Sequence, residues 1–222
     1  EGPAVLTDGS SCGDRTVDIY DGWNAIGWTG PETTLAGALT GFHIDPLGYG
    51  DIPGLRIDPS LAGTVYAGLA FRWDAGSQGF GRNDVRLPDS LQGFTQVGRN
   101  EALWTRFTWT TTLPAGYYID AAGNETAGFN NWTIPIASAA ARTVALVPGW
   151  NFVVWTGIDK SSPELAFADL QGVLTQAFTW DAATQTYLRY EVGAPDFVQT
   201  MTALAYGDPV WLHAKTSYSW KV

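Results

Sequence analysis

Sulfur is nearly missing from this sequence: Cys12 and Met201 are its only carriers. No disulfide can close within one chain, and no cysteine-based metal site can form. Histidine is almost as scarce, with His43 and His213 alone, which removes most of the groups that titrate near neutral pH and act as general bases. Charged residues make up 15% of the chain, against roughly 25% in an average globular protein. Within that small set, 22 acidic residues outnumber 12 basic ones and leave a net charge of −10. A phosphate backbone or an anionic lipid surface would be repelled, so nucleic acid and peripheral membranes are poor partners. No apolar run approaches the roughly 18 to 20 residues that a membrane-spanning helix needs, and long Lys/Glu/Ala/Leu stretches of helical period are missing too.

The remainder is 45% apolar and 14% aromatic, with 26 Gly and 12 Pro spread along the chain among abundant Thr and Val. This composition suits short strands joined by turns and argues against disorder. At 222 residues, two small domains fit better than one large one. A chain opening on Glu1 fits a mature, processed or excised product.

The sequence repeats itself. Residues 15–30, RTVDIYDGWNAIGWTG, align with 142–157, RTVALVPGWNFVVWTG, with nine identities in sixteen ungapped positions. Residues 70–80, AFRWDAGSQGF, align with 177–187, AFTWDAATQTY, and the match continues through Arg82/Arg189, Gln92/Gln199 and Trp104/Trp211. The offset falls from 127 to 107 because the first copy holds about 20 extra residues, the Gly/Pro/Asp-rich segment 41–60. These blocks define an N-terminal arm (1–14), module 1 (15–108), a joining segment (109–141) with aromatic alternation that predicts a hairpin, and module 2 (142–222). The fold class expected is all-β, or β-dominant with one short helix per module: two tandem homologous antiparallel sandwiches or barrels. The helix candidate in module 2 is SSPELAFADLQGVL, 161–174, with a Ser/Pro/Glu start and apolar residues at roughly helical spacing. Its counterpart is PETTLAGALTG. Gly22 and Gly149 are expected to permit a bulge or bend.

The order Gly-Trp-Asn…Trp-Thr-Gly, then Trp-Asp-Ala-x-x-Gln-x-Tyr/Phe, then a Pro-containing turn and a closing Trp strand resembles a small β-rich module of exported bacterial surface proteins, found singly or in tandem. The resemblance covers residues 15–108 and 142–215. It implies a β fold and an extracellular or cell-surface setting, and it brings no defined activity. The 41–60 insertion and the LWTRFT ending of the first copy depart from the pattern.

Catalytic chemistry has few candidates. His43 and His213 do not recur in the sister module, which suits an edge residue better than a base. Asp74 and Asp181 do recur and could serve a glycoside hydrolase as paired carboxylates. Each sits at a strand end before Ala-x-x-Gln, where a turn-capping role is the simpler reading. No nucleophile elbow, phosphate loop, dinucleotide fingerprint or zinc motif occurs. The sequence points to no cofactor, although calcium needs only oxygen ligands and Asp45, Asp51 and Asp58, or Asp14, Asp18 and Asp21, could gather them. Asn124 and Asn131 stand in sequons and would be acceptors in a glycosylating source.

Aromatic residues carry the strongest cue, because exposed rings stack on sugars. Trp23/Trp150, Trp28/Trp155, Trp73/Trp180 and Trp104/Trp211 recur, and packing inside the two modules is the expected reason. The unduplicated Trp109, Trp132 and Trp220, with Tyr117, Tyr118 and Tyr218, are expected at a contact surface, as are His43 and Tyr49 of the insertion. The reading that follows is a non-catalytic extracellular structural or adhesive protein, packing against copies of itself or other cell-surface components through its terminal strands. The runner-up is a polysaccharide-binding protein. On either reading the doubled phrase is a folding signature, and function belongs where the copies differ.

Overall fold

The computed structural model describes residues 14–20, 22–39, 43–44, 65–84, 87–109, 117–119, 125–127, 129–136 and 142–222. Module 1 runs through β1 (Asp14–Tyr20), β2 (Gly22–Trp28), β3 (Thr33–Thr34), helix α1 (Leu35–Ala38), β4 (His43–Ile44), β5 (Val65–Asp74), β6 (Gly79–Asp84), β7 (Gln96–Val97) and β8 (Glu101–Trp109). Then come β9 (Tyr117–Ile119), β10 (Glu125–Ala127) and β11 (Phe129–Pro135). Module 2 holds β12 (Thr143–Leu146), β13 (Gly149–Val154), helix α2 (Pro163–Ala166), β14 (Leu174–Asp181), β15 (Thr186–Glu191), β16 (Pro209–Ala214) and β17 (Tyr218–Lys221). Among the described residues the protein is β-dominant, with two short α-helices and several antiparallel sheets.

Each module is built on the same sheet. Module 2 orders its strands β13-β16-β14-β15, and module 1 repeats this as β2-β8-β5 with β6 on the outer edge of β5. The first-copy insertion adds β4, which pairs parallel with Tyr66–Ala67, just past the stretch that β6 covers. Both sheets slip by one residue at the same place, between Ala67 and Leu69 and between Leu174 and Gln176. Across the core from each sheet lies a two-stranded ribbon, β1 with β11 and β12 with β17.

These ribbons revise the expected boundaries. Val17 pairs with Trp132, and Val144 pairs with Trp220, so β11 is the structural counterpart of β17. The last strand of module 1 therefore lies inside the segment assigned to the joining stretch, where β9 and β10 form a separate hairpin. β17 is paired within its own module, so it is not a loose arm seeking a neighbour's sheet. The N-terminal arm, residues 1–13, falls outside the described residues.

Period-two alternation decides which residues face each core. In module 1, Ile19, Ile26, Trp28, Leu103, Phe107, Trp132 and Ile134 pack together. In module 2, Leu146, Val153, Trp155, Leu170, Leu212 and Trp220 do the same. Trp132 and Trp220, expected at a contact surface, are 5% and 1% exposed. Their positions are duplicated after all: Trp28 lies 6.2 Å from Trp132, and Trp155 lies 5.8 Å from Trp220. The predicted helix over 161–174 is shorter than expected. Ser162 caps α2, a 3-10 turn follows over Ala168–Leu170, and Gly172 at φ +84° turns the chain into β14.

The corner between the first two strands of each module depends on one buried amide. Asn151 accepts from Val147 N–H at 3.0 Å and donates to the carbonyls of Val147 and Gly149 at 2.9 and 3.1 Å. Asn24 makes the same three bonds to Tyr20 and Gly22. Only an amide supplies an acceptor and two donors from one side chain end. Replacing Asn151 by Ala leaves these groups without their partners in a half-buried corner. The expected loss is about 2–3 kcal/mol of unfolding free energy, read from urea denaturation.

Candidate binding site at the seam between the modules

The main sheet of each module has a second face. Alternation that sends Asn151, Val153, Leu212 and Ala177 into the core sends Trp150, Phe152, Trp211, His213, Phe178 and Trp180 the other way. In module 1 the equivalent face carries Trp23, Ala25, Trp104, Arg106, Phe71 and Trp73. These faces meet. Trp104 sits edge-on to Trp180 at 4.9 Å and stacks with Tyr187 at 6.0 Å. Reciprocally, Trp211 sits edge-on to Trp73 at 5.1 Å and to Phe80 at 5.9 Å. Such edge and offset contacts are the favoured ring geometries.

The repeated tryptophans therefore divide. Trp28 and Trp155 belong to the cores, each donating its indole N–H to a backbone carbonyl, Pro31 at 2.8 Å and Ile158 at 3.1 Å. The other six, assigned to packing inside the modules, are half-buried between them. Strand pattern announces a second apolar face but does not say what covers it.

Hydrogen bonds lock the seam in two matching clasps. Trp180 Nε1 and Gln185 Nε2 both donate to the carbonyl of Trp23 at 2.8 Å, while Gln185 Oε1 accepts from Trp23 N–H at 3.0 Å. In return, Trp73 Nε1 and Gln78 Nε2 donate to the carbonyl of Trp150 at 2.9 Å, and Gln78 Oε1 accepts from Trp150 N–H at 2.8 Å. Both glutamines sit in the left-handed region, φ +52° and +54°, which throws their amides out from the hairpin tips. Gly22 and Gly149 answer them. Beyond φ values of +98° and +99°, a Cβ on either would lie 2.8 or 2.6 Å from the facing glutamine oxygen. Glycine here meets both a backbone and a space requirement.

Arg15 and Arg142 flank the clasps in the same reciprocal way. Arg15 donates to Gly27 of its own module at 3.2 Å and to Tyr206 of the other at 2.8 Å. Arg142 donates to Val154 at 3.0 Å and to Asn100 across the seam at 3.2 Å. Burial lowers the pKa of both guanidinium groups. The copies differ beside Arg15: Asp208 is pushed above the usual carboxylate range by desolvation, against the downward pull of the Ala205 N–H and Arg15.

On one side the seam stays open. Trp73, Phe80, Trp150, Phe178, Tyr187 and Trp211 line a cleft of about 350 Å³, near the lower end of the roughly 300–1,000 Å³ usual for small-molecule sites. Its rings come from both modules. Phe80 and Tyr187 occupy equivalent positions and are 53% and 51% exposed. Burial raises the pKa of Tyr187. His213 lies edge-on to Trp150 at 4.8 Å, with Nδ1 at 2.8 Å from the hydroxyl of Thr175.

The other candidates from the sequence fall as follows. Asp74 and Asp181 cap the hairpin turns, accepting from Gly76 and Ser77 and from Ala183 and Thr184. The Gly76 N–H is the main cause of a lowered Asp74 pKa. Tyr218 is partly exposed on β17. His43 on β4, Trp109 at the end of β8, Tyr117 and Tyr118 on β9, and Asn131 on β11 are placed by backbone only. Tyr49, Asp45, Asp51, Asp58, Asp21 and Asn124 lie outside the described residues. Among the described residues, no three metal-ligating side chains gather, and no helix is long and apolar enough to cross a membrane.

Two outcomes test this geometry. The pair Gln78→Ala and Gln185→Ala removes one exposed amide from each clasp. Each should cost about 1 kcal/mol, adding because the clasps share no residue, as read from the denaturant midpoint. The raised folded pKa of Asp208 stabilises the fold at pH below its unfolded value and loses that contribution as pH rises through the folded one. Asp208→Asn should therefore gain on the wild type as pH rises above about 4 in parallel urea titrations, and a variant that loses ground on that rise contradicts the assignment. No protein-family model, curated protein or solved structure matches the chain.

Proposed function

We propose that this chain is a non-catalytic adhesive protein of the cell exterior that holds a neutral polysaccharide along the aromatic cleft of its seam. The cleft carries the reading: six rings converge on one open depression, and its two outermost members, Phe80 and Tyr187, present half their surface to solvent. A pyranose with equatorial hydroxyls turns axial C–H bonds to both faces and its hydroxyls to the edge. It can stack against aromatic walls while its polar groups stay wet. A ligand bearing charge would have to desolvate it against apolar rings. The net charge of −10 further disfavours anionic polysaccharides.

A non-catalytic role is supported by how the reactive side chains are spent. Asp74 and Asp181, the carboxylates a hydrolase would need, hold hairpin turns. His213 shares its ring nitrogen with Thr175. The extracellular setting rests on the likeness of the repeated phrases to exported modules. Self-association through the C-terminal strand loses support, since β17 is paired at home; the N-terminal arm lies outside the described residues.

Affinity electrophoresis through gels containing neutral β-linked glucans or chitin-type polymers tests the proposal. At least one should retard the wild type, and Phe80→Ala with Tyr187→Ala should weaken that retardation. At about 0.5–1.5 kcal/mol per ring contact, each substitution costs roughly two- to tenfold in affinity. Free migration in every polymer would end the saccharide reading.

A further inference from the structure

The seam consists of one contact made twice, and each module supplies half of each. Module 1 reaches into module 2 with Trp73 and Gln78, and it offers its own corner at Trp23 to Trp180 and Gln185. A surface on which every module is both giver and receiver in the same geometry is the isologous interface of a symmetric dimer. In this protein both partners are parts of one chain.

Nothing in the clasp records which chain a module came from. Its groups are a backbone N–H, a backbone carbonyl, an indole N–H and a primary amide, and each module carries the full set. The flanking bonds from Arg15 and Arg142 also end on backbone carbonyls. A sister module prevails only by proximity, because a short tether holds it at an effective concentration on the order of millimolar.

We infer that the seam is a docking surface for a second copy of this chain, with module 1 of one molecule accepting module 2 of another in the arrangement the sister modules adopt. The exchange exposes no new apolar surface, since each chain gives up one seam and gains an identical one. Closed pairs and open strings both follow, depending on whether the second seam closes on the same partner. This rests on the clasps and not on the saccharide reading.

A protease site placed within residues 137–141 of the full-length chain and cut after folding tests it. Isotopically labelled and unlabelled samples are cut, mixed and followed by native mass spectrometry. The halves should stay paired, and hybrids of one labelled and one unlabelled half should accumulate towards the statistical mixture. Halves that separate on cutting, or that stay paired without ever exchanging on prolonged warming, overturn the inference. In a second sample, Gln78→Glu with Gln185→Glu sets a carboxylate against each Trp carbonyl and should release the halves once cut. Halves held as tightly as in the wild type would show that the clasps do not do the recognising. Should that pair fail to fold, Gln78→Ala with Gln185→Ala replaces it, with at least a tenfold weaker association of the cut halves expected and an unchanged one counting against the inference.

Discussion

β2 and β13 are edge strands, and an edge strand leaves backbone N–H and C=O groups that no neighbouring strand satisfies. At Trp23 and Trp150 these groups are met from the other module by a glutamine side chain. A primary amide offers the same donor and acceptor as a peptide unit, so Gln185 and Gln78 act as one-residue strands laid along the open edges. The motif follows from that need. Glycine at 22 and 149 lets the amide approach, the hairpin places its glutamine in the left-handed region, and the aspartate two bonds into the turn holds the tip in shape. The indole that shares each carbonyl ties the clasp to the ring face beneath it.

Energetically the clasps and the rings divide the work. A neutral hydrogen bond is worth about 1 kcal/mol net, and parts of the clasps are exposed to water, so their main contribution is register and orientation. The rings supply most of the attraction, because each buries a large apolar area as the sheets meet. The balance explains why the phrase is kept in both copies while neighbouring positions drift. Ala25 and Phe152 stand at one position, and Arg106 and His213 at another. Phe152 stacks on Trp211 at 4.3 Å, a support that Trp104 lacks from Ala25. The two faces of the seam are thus built alike without being identical.

Much of the fold could be read directly. Strand alternation, Gly-bounded turns and two ungapped repeats point to paired β modules with a short capped helix each, as found. The carboxylates at the hairpins were readable as turn caps from their place before Ala-x-x-Gln. What stayed hidden has a common cause. A period of two states that a strand has two faces and leaves the partner of each unspecified, so repeated tryptophans read equally well as core or as interface. β11 and β17 share almost nothing except Trp132 and Trp220, and their offset, 88, differs from both others. A search for a further matching Trp with an apolar residue two places on, Ile134 and Val222, would have found the pair. Of the calcium and insertion candidates, Asp14 and Asp18 lie on β1 and His43 on β4, and the others fall outside the described residues.

The cleft takes its walls from both modules, and this couples any ligand held there to the docking of the modules themselves. Trp73 and Phe80 face Trp150, Phe178 and Trp211 only while the clasps are closed. By linkage, a ligand that touches rings on both sides stabilises the closed seam by as much as closure improves its own binding. Module exchange between chains does not break this coupling, since an exchanged seam rebuilds the same walls. A polymer bound at a seam therefore favours closed seams over open ones, whichever chains supply the two modules, and leaves the balance between sister and exchanged seams unchanged. The doubled phrase at the corners, far from marking two separate sites, is what allows two modules to make one.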